Sequence, residues 1–276
     1  GTNAIKSKIF KTTPTSIEFI EGMRSPIRLG SEVFNGGKLS QGKLDQVIST
    51  IKSYESIFQK NKIDRYEIVA TSAFRDTSNS EDARRYIETA INHPLRVISG
   101  LEEAQLIRFH PKSNTGKKKI FVDLGGGSTE FFLRDSKGIE IRSFQLGAVR
   151  NMLNKDKKAE WIRLEKWLET IKPRKKLIGI GGNIRSFLES QNKKELSAKE
   201  LNKKMKEFST LSTQEKILKY QFSPDRADVI DHALNIFNFI SEHLMIETIT
   251  STKWGISDSI GVKLFHEIYS NKINIS

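Results

Sequence analysis

Asp123-Leu124-Gly125-Gly126-Gly127-Ser128-Thr129-Glu130 follows the apolar run Ile120-Phe121-Val122 and leads into Phe131-Phe132-Leu133. A buried-type strand delivers an aspartate to its end, and three glycines turn the chain straight into the next strand. Glycine lets backbone N–H groups approach phosphate oxygens where a Cβ would obstruct them. Asp123 and Glu130 bracket the turn, and their carboxylates suit Mg²⁺ held beside the phosphates, directly or through water. Three consecutive glycines between two carboxylates exceed what a plain hairpin needs, so Gly125, Gly126, Gly127 and Ser128 are read as a phosphate cradle.

Working outward, the pattern alternates strand-like and helix-like segments, which predicts an α/β fold. Upstream, 5–10 and 16–20 read as strands, and 40–60 carries a helical stripe of Leu44, Val47, Ile48, Ile51, Tyr54 and Phe58. A strand over 66–71, a helix over 80–91, a strand over 95–98 and a short helix over 101–109 follow. The polar stretch 110–119, with Pro111 and Gly116, reads as an interdomain linker. Downstream come strands at 119–124, 129–133 and 138–146, helices at 148–153 and 159–171, and a strand at 176–180. Ser197 with Glu200 and Ser212 with Glu215 have capping-box spacing and mark two helix starts. Pro224 opens one long helix to about Met245, followed by a strand at 247–251 and a final helix from Ser257. Each half opens on a glycine-containing hairpin.

Other stretches carry anion chemistry. Gly179-Ile180-Gly181-Gly182-Asn183-Ile184-Arg185 ends a strand and opens a helix, which supplies free N–H groups and a positive dipole end at Gly181 and Gly182. Thr71-Ser72-Ala73-Phe74-Arg75 follows a strand, and the planar fork of Arg75 suits a phosphate. Glu102 and Glu103 sit in a helix's first turn, where acidic residues usually compensate the dipole. His93, His110, His232, His243 and His266 show no metal-binding spacing and read as structural or surface residues.

Composition narrows the classes. At 276 residues the chain is about 1.8 times the roughly 150 expected of one domain, so it holds one large domain or two modest ones. The lack of cysteine removes disulfides, thiolate zinc sites and cysteine nucleophiles, and fits a reducing, cytoplasmic setting. No apolar run approaches the roughly 18 residues of a membrane span. The 46 basic and 33 acidic residues leave a charge of +13, which speaks for an anionic partner. The segment 150–219 holds 19 basic and nine acidic residues, a net of +10. Aromatics are not interleaved with its basic clusters, which argues against nucleic acid. A polyanion would be drawn in by this surface, Lys203 and Lys204 included.

Gly1-Thr2-Asn3-Ala4-Ile5, Ala70 through Arg75, Ile98 through Ala104, Val122 through Glu130 and Gly179 through Arg185, in this order, resemble the exopolyphosphatase / guanosine pentaphosphate phosphohydrolase (Ppx/GppA) family of the actin-like ATPase superfold. Trp254 through Ser259 looks like a loosened form of a further family motif. The resemblance implies two actin-like (ribonuclease H-like) domains flanking a central cleft: 1–112, and 117–256, with the final helix of about 257–276 packing back on the first. The first strand of domain I, with the aspartate two residues before the glycine matched by Gly1, is missing from the pattern. So is the C-terminal helical domain of long members.

The resemblance implies a hydrolase removing the terminal phosphate of polyphosphate or the 5′ γ-phosphate of guanosine pentaphosphate, with Mg²⁺ as cofactor. It makes Glu103 the general base, Asp123 and Glu130 the metal residues, and Asn3 and Arg75 phosphate-binding residues. It leaves room for a homodimer. Two other readings use the same cleft: a non-catalytic polyphosphate or guanosine-alarmone sensor, and an actin-like kinase using ATP.

Overall fold

The computed structural model describes residues 1–116, 118–135 and 138–270. Lys117, inside the expected linker, and 271–276, at the end of the expected final helix, lie outside the described residues. The first part of the chain runs β1 (Ala4–Thr13), β2 (Ser16–Pro26), α1 (Leu29–Gly36), α2 (Gln41–Lys60), β3 (Ile68–Ala70), α3 (Ser72–Asp76), α4 (Ser80–Ile91), β4 (Leu95–Val97), α5 (Gly100–Leu106) and a 3₁₀ turn Ile107–Phe109. It continues with β5 (Lys119–Leu124), β6 (Thr129–Asp135), β7 (Gly138–Phe144), α6 (Ala148–Met152), α7 (Lys158–Glu169), β8 (Lys176–Ile180) and α8 (Gly182–Ser190). The last elements are β9 (Glu195–Ser197), α9 (Ala198–Ser209), α10 (Thr213–Tyr220), α11 (Pro224–Ala227), α12 (Ile230–His243), β10 (Thr248–Ser251) and α13 (Ile256–Ser270).

The α/β expectation holds. A six-stranded mixed sheet has the order β7-β6-β5-β8-β10-β9. Its centre is β5, antiparallel to β6 and parallel to β8, and its apolar residues Ile120, Phe121, Val122 and Leu124 are all buried. A strand covered on both faces reads as a continuous apolar run, which is why this segment was legible. The first half has an antiparallel hairpin, β1–β2, and a parallel pair, β3–β4. A hairpin followed by a parallel pair repeats the arrangement of β6–β7 with β8–β10. One buried apolar cluster runs from Leu29 on α1 to Ile249 on β10, so both halves share a core. Helix α13 returns to the first half, where Gly261 lies against the Phe10 ring and Ile260 packs with Ile98 and Leu106.

The structure departs from the expected elements in several places; one is β9, a three-residue strand paired with β10 that the sequence did not predict. Strand β2 runs six residues past Ile20, because the ladder with β1 continues to Pro26 although apolar alternation has stopped. The expected helix from Pro224 to Met245 is two helices; the chain breaks at Asp228 and Val229, where the Asp228 carboxylate pairs with Arg28. The short α1 and α3 have no counterpart in the sequence reading; neither is long enough to show a helical period. Both capping boxes form as expected, at Ser197 and Ser212. Among the described residues no helix is long and apolar enough to cross a membrane.

Candidate active site

Strand pairing sets the acidic centre. Asp123 of β5 and Glu130 of β6 are direct partners in the antiparallel ladder, so both carboxylates rise from one face about 5 Å apart at Cα. The glycine turn between them closes through the Gly125 N–H, which donates to the Ser128 carbonyl at 3.0 Å. Glu130 is buried and accepts from the Ser143 hydroxyl at 2.9 Å.

Helix α5 brings the third carboxylate. Its start is a capping box: Ser99 Oγ accepts from the Glu102 N–H at 3.1 Å, and Glu102 returns to the Ser99 N–H at 2.7 Å. Glu102 is thereby spent on the cap and exposed. Glu103, one step further round the helix, is only 5 % exposed. Gly100 allows this approach, since a Cβ there would stand 2.1 Å from Ser143 Oγ and 3.5 Å from Glu130 Oε1.

Burial pushes the Glu103 carboxyl up to about 7, against the pull of the Arg75 guanidinium and with the push of Asp123. Burial likewise raises Asp123 to about 6, with Lys6 opposing. Glu130 is raised well above the carboxylate range by burial and then by the like charges of Glu103 and Asp123. Three acids thus compete for too little cation.

Two arginines tie the centre to both halves. Arg75 Nη1 donates to Glu103 at 2.5 Å and to the Ile98 carbonyl at 2.8 Å, while Nη2 reaches Ser128 Oγ at 3.2 Å. Arg150 Nε donates to the Gly127 carbonyl at 2.8 Å, and its Nη2 pairs with Asp76 at 2.5 Å. The Arg150 guanidinium also lies 4.2 Å from the centre of the Phe34 ring.

The glycines do more than the sequence reading assigned them. None of Gly125, Gly126 and Gly127 has a positive φ. A Cβ on Gly126 would stand 2.9 Å from Thr2, and one on Gly127 would stand 1.9 Å from Ser72 Oγ. These two residues therefore let the first half close onto the turn. Gly181 does have a positive φ of 101° and sits against Asp123 Oδ1. Gly182, opening α8, faces the guanidinium of Arg226, which donates to Asn183.

Most of the expected site residues converge: Glu103, Asp123, Glu130, Arg75, the glycine turn, Gly181 and Gly182. Asn3 sits differently. Its amide donors go to the Asp225 carbonyl at 2.8 Å and the Asp225 carboxylate at 3.1 Å, while its Oδ1 is buried without a partner. Asp225 also pairs with Arg24, so Asn3 belongs to a latch between β1–β2 and α11.

Apart from Arg75, sequence reading missed the cations around this centre. Lys6 is exposed yet lies in crowded surroundings; burial lowers its ammonium to about 8, Asp123 opposes this, and Arg226, Arg24 and Arg185 add to it. Its only sequence signal is the alternation of Lys6 and Lys8 along one strand face. The basic segment 150–219 contributes Arg150 and Arg185 to the cleft. Much of its remaining charge is paired: Lys176 with Glu195, Lys193 with Glu200, Lys204 with Glu207 and Lys216 with Asp231.

Comparison with known proteins bears on the family and the fold. A sequence model of the Ppx/GppA phosphatase family matches residues 8–267. Among solved structures, an exopolyphosphatase from Cytophaga hutchinsonii superposes with a TM-score of 0.85 at 20% identity, covering 97% of this chain and 96% of that one. A Ppx/GppA family member from Aquifex aeolicus gives a TM-score of 0.76 at 23% identity, covering 98% and 95%. At these identities the structural likeness shows the fold, and the fold is that of the actin-like proteins the motifs resemble.

Proposed function

The chain belongs to the Ppx/GppA phosphatase family, and from that membership we propose that it hydrolyses the terminal phosphoanhydride of polyphosphate or of guanosine pentaphosphate. In this reading the two domains expected from the sequence form the walls of the cleft. The observation that carries the reading is Glu103: a buried carboxyl poised near 7, beside a carboxylate pair and in contact with the arginine that faces the glycine turn.

A base with this pKa accepts a proton from water at neutral pH without being quenched by it. Glu103 would take one proton from water as the water oxygen bonds to the terminal phosphorus and the bridging P–O bond breaks in line. The released chain leaves with the bridging oxygen, and the proton on Glu103 returns to solvent. Arg75 and the backbone N–H groups of Gly126, Gly127 and Ser128 would hold the phosphate oxygens and offset the charge that spreads over them.

Mg²⁺ fits this site. Among the described residues no three acidic or histidine side chains form a ready-made metal cage, and Mg²⁺ commonly takes only one or two carboxylates plus substrate phosphates and water. Asp123 and Glu130 are such a pair, and their raised pKa values mark a place where a divalent cation would relieve repulsion. Bound there, Mg²⁺ would neutralise phosphate charge.

The test is orthophosphate release from polyphosphate and from guanosine pentaphosphate, by the parent and by Glu103→Gln. Loss of a positioned base is expected to cost roughly 10²–10⁴-fold in rate while substrate binding persists. Tight binding by the parent without any release would instead identify a sensor.

A further inference from the structure

The Asp123–Glu130 pair belongs to a longer row. Glu130 of β6 lies directly opposite Asp123 of β5 on one side and Ser143 of β7 on the other. Directly opposed residues present their side chains on one face of the sheet. The Ser143 hydroxyl donates to Glu130 Oε1 at 2.9 Å. Glu130 is 2 % exposed, so neighbouring hydroxyls rather than bulk water decide which way its carboxylate turns.

Ser143 is itself held from two sides. Gly100 opens α5, the helix that carries Glu103, and a Cβ there would stand 2.1 Å from Ser143 Oγ and 2.7 Å from its Cβ. The Ser143 carbonyl accepts from Arg163 Nη2 at 2.9 Å, which fastens this edge strand to α7. Glu130 has a second hydroxyl partner, Ser128. Ser128 ends the glycine turn and is also reached by Arg75 at 3.2 Å, so a bound phosphate competes for it. Ser143 is outside the turn, on a strand of the sheet, and is the steadier of the two.

We propose that Ser143 is a positioning residue for the divalent cation: its hydroxyl holds the Glu130 carboxylate in the orientation in which Glu130 and Asp123 share the ion. The inference rests on the reading that these two carboxylates bind Mg²⁺, and it adds a residue that acts through Glu130 without touching the metal. A hydrogen bond from an outer partner fixes the direction of a ligating carboxylate, and removing one typically weakens metal binding roughly 10–100-fold. A serine that merely seats α5 would have no such effect, since its Cβ alone fills the place beside Gly100.

Mn²⁺ suits the same oxygen ligands as Mg²⁺, and the electron paramagnetic resonance signal of the free ion reports its binding without substrate or turnover. In Ser143→Ala the Cβ beside Gly100 remains and only the hydroxyl is lost, so α5 keeps its seat. The Mn²⁺ dissociation constant is expected to rise roughly 10–100-fold, and the gap between melting temperatures in Mn²⁺ and in chelator should shrink with it. Glu130→Gln marks the site and should weaken binding at least as much. Parental Mn²⁺ affinity in Ser143→Ala, beside a loss in Glu130→Gln, would overturn the positioning role and leave the metal pair standing. Parental affinity in Glu130→Gln, or no binding by the parent, would overturn the metal reading and this role with it.

Discussion

Arg75 and Glu103 form a 2.5 Å ion pair joining α3 to α5, and the same guanidinium reaches Ser128 of the glycine turn at 3.2 Å. The group that would meet the phosphate is thus also the group that holds the base ionised. Burial drives the Glu103 carboxyl up, and Arg75 is its largest restraint.

The pH dependence of turnover follows from this. A base with a pKa near 7 gives a kcat/KM that climbs as pH rises through about 7 and then levels. Arg75→Ala removes the restraint, so the acid limb should move to higher pH as well as the plateau falling. Arg75→Lys keeps a charge and should hold the limb closer to its parental position. A limb that does not move in Arg75→Ala would show that the pair does not set the base.

Stability carries the opposite sign. Glu103 has a folded pKa raised from its ordinary 4.5 to about 7, so the folded chain keeps this proton after the unfolded chain has lost it. Stability therefore falls as pH rises from about 4.5 through about 7. Glu103→Gln lacks that liability, and at pH 8 it should be more stable by at most on the order of 3 kcal/mol, several degrees in Tm. The difference should vanish below pH 4.5. Thermal melts of both proteins across that range check it, and a gap independent of pH would place the effect in packing rather than charge.

The distribution of sequence signal explains what could be read in advance. The glycine turn and its two carboxylates are local: strand, turn and strand are contiguous, and β pairing alone sets Asp123 opposite Glu130. The division of labour between Glu102 and Glu103 was harder. Both occupy a first turn, and only Ser99, three residues before Glu102, identifies that glutamate as the cap partner and releases Glu103 for the cleft. Lys6, Arg24 and Arg226 had no usable signal. They meet because β1–β2 packs against α11, some 200 residues away in the chain, and no local period reports such a contact. The break between α11 and α12 has the same origin, since Asp228 is taken by Arg28 from the first half.

Gly127 offers a test of what the triple glycine is for. A Cβ there would stand 1.9 Å from Ser72 Oγ and 2.7 Å from the Phe34 ring, so Gly127→Ala must push α1 and α3 off the turn. Overpacking of this kind costs roughly 1–3 kcal/mol. It should also lower kcat/KM, because Arg150 and Arg75 contact residues 127 and 128. Gly42 on α2 is the control: nothing stands within 4 Å of its Cβ position, and Gly42→Ala should be neutral or slightly stabilising. Equal melting temperatures for the two variants would remove the close-approach explanation.

The two groups of cations predict different dependences on chain length. The charge of Asp123 acts on Lys6, so if the proposed cleavage takes place beside Asp123, Lys6→Ala should raise KM several-fold for short and long polyphosphate alike. Since its ammonium is lowered to about 8, the parental KM should also rise above pH 8, where that charge is lost. Lys203 lies instead on the flank of α9, beside Lys199 and Lys206, and Lys204 is already engaged with Glu207 at 2.8 Å. These residues can act only on the far end of a long chain, through a field that salt screens within roughly 10 Å at 0.1 M. Reversing Lys203 and Lys204 to glutamate should therefore raise KM for long chains more than for tripolyphosphate, and the effect should shrink at high salt. An equal change at both lengths, or one indifferent to salt, would mean that this surface plays no part in gathering substrate.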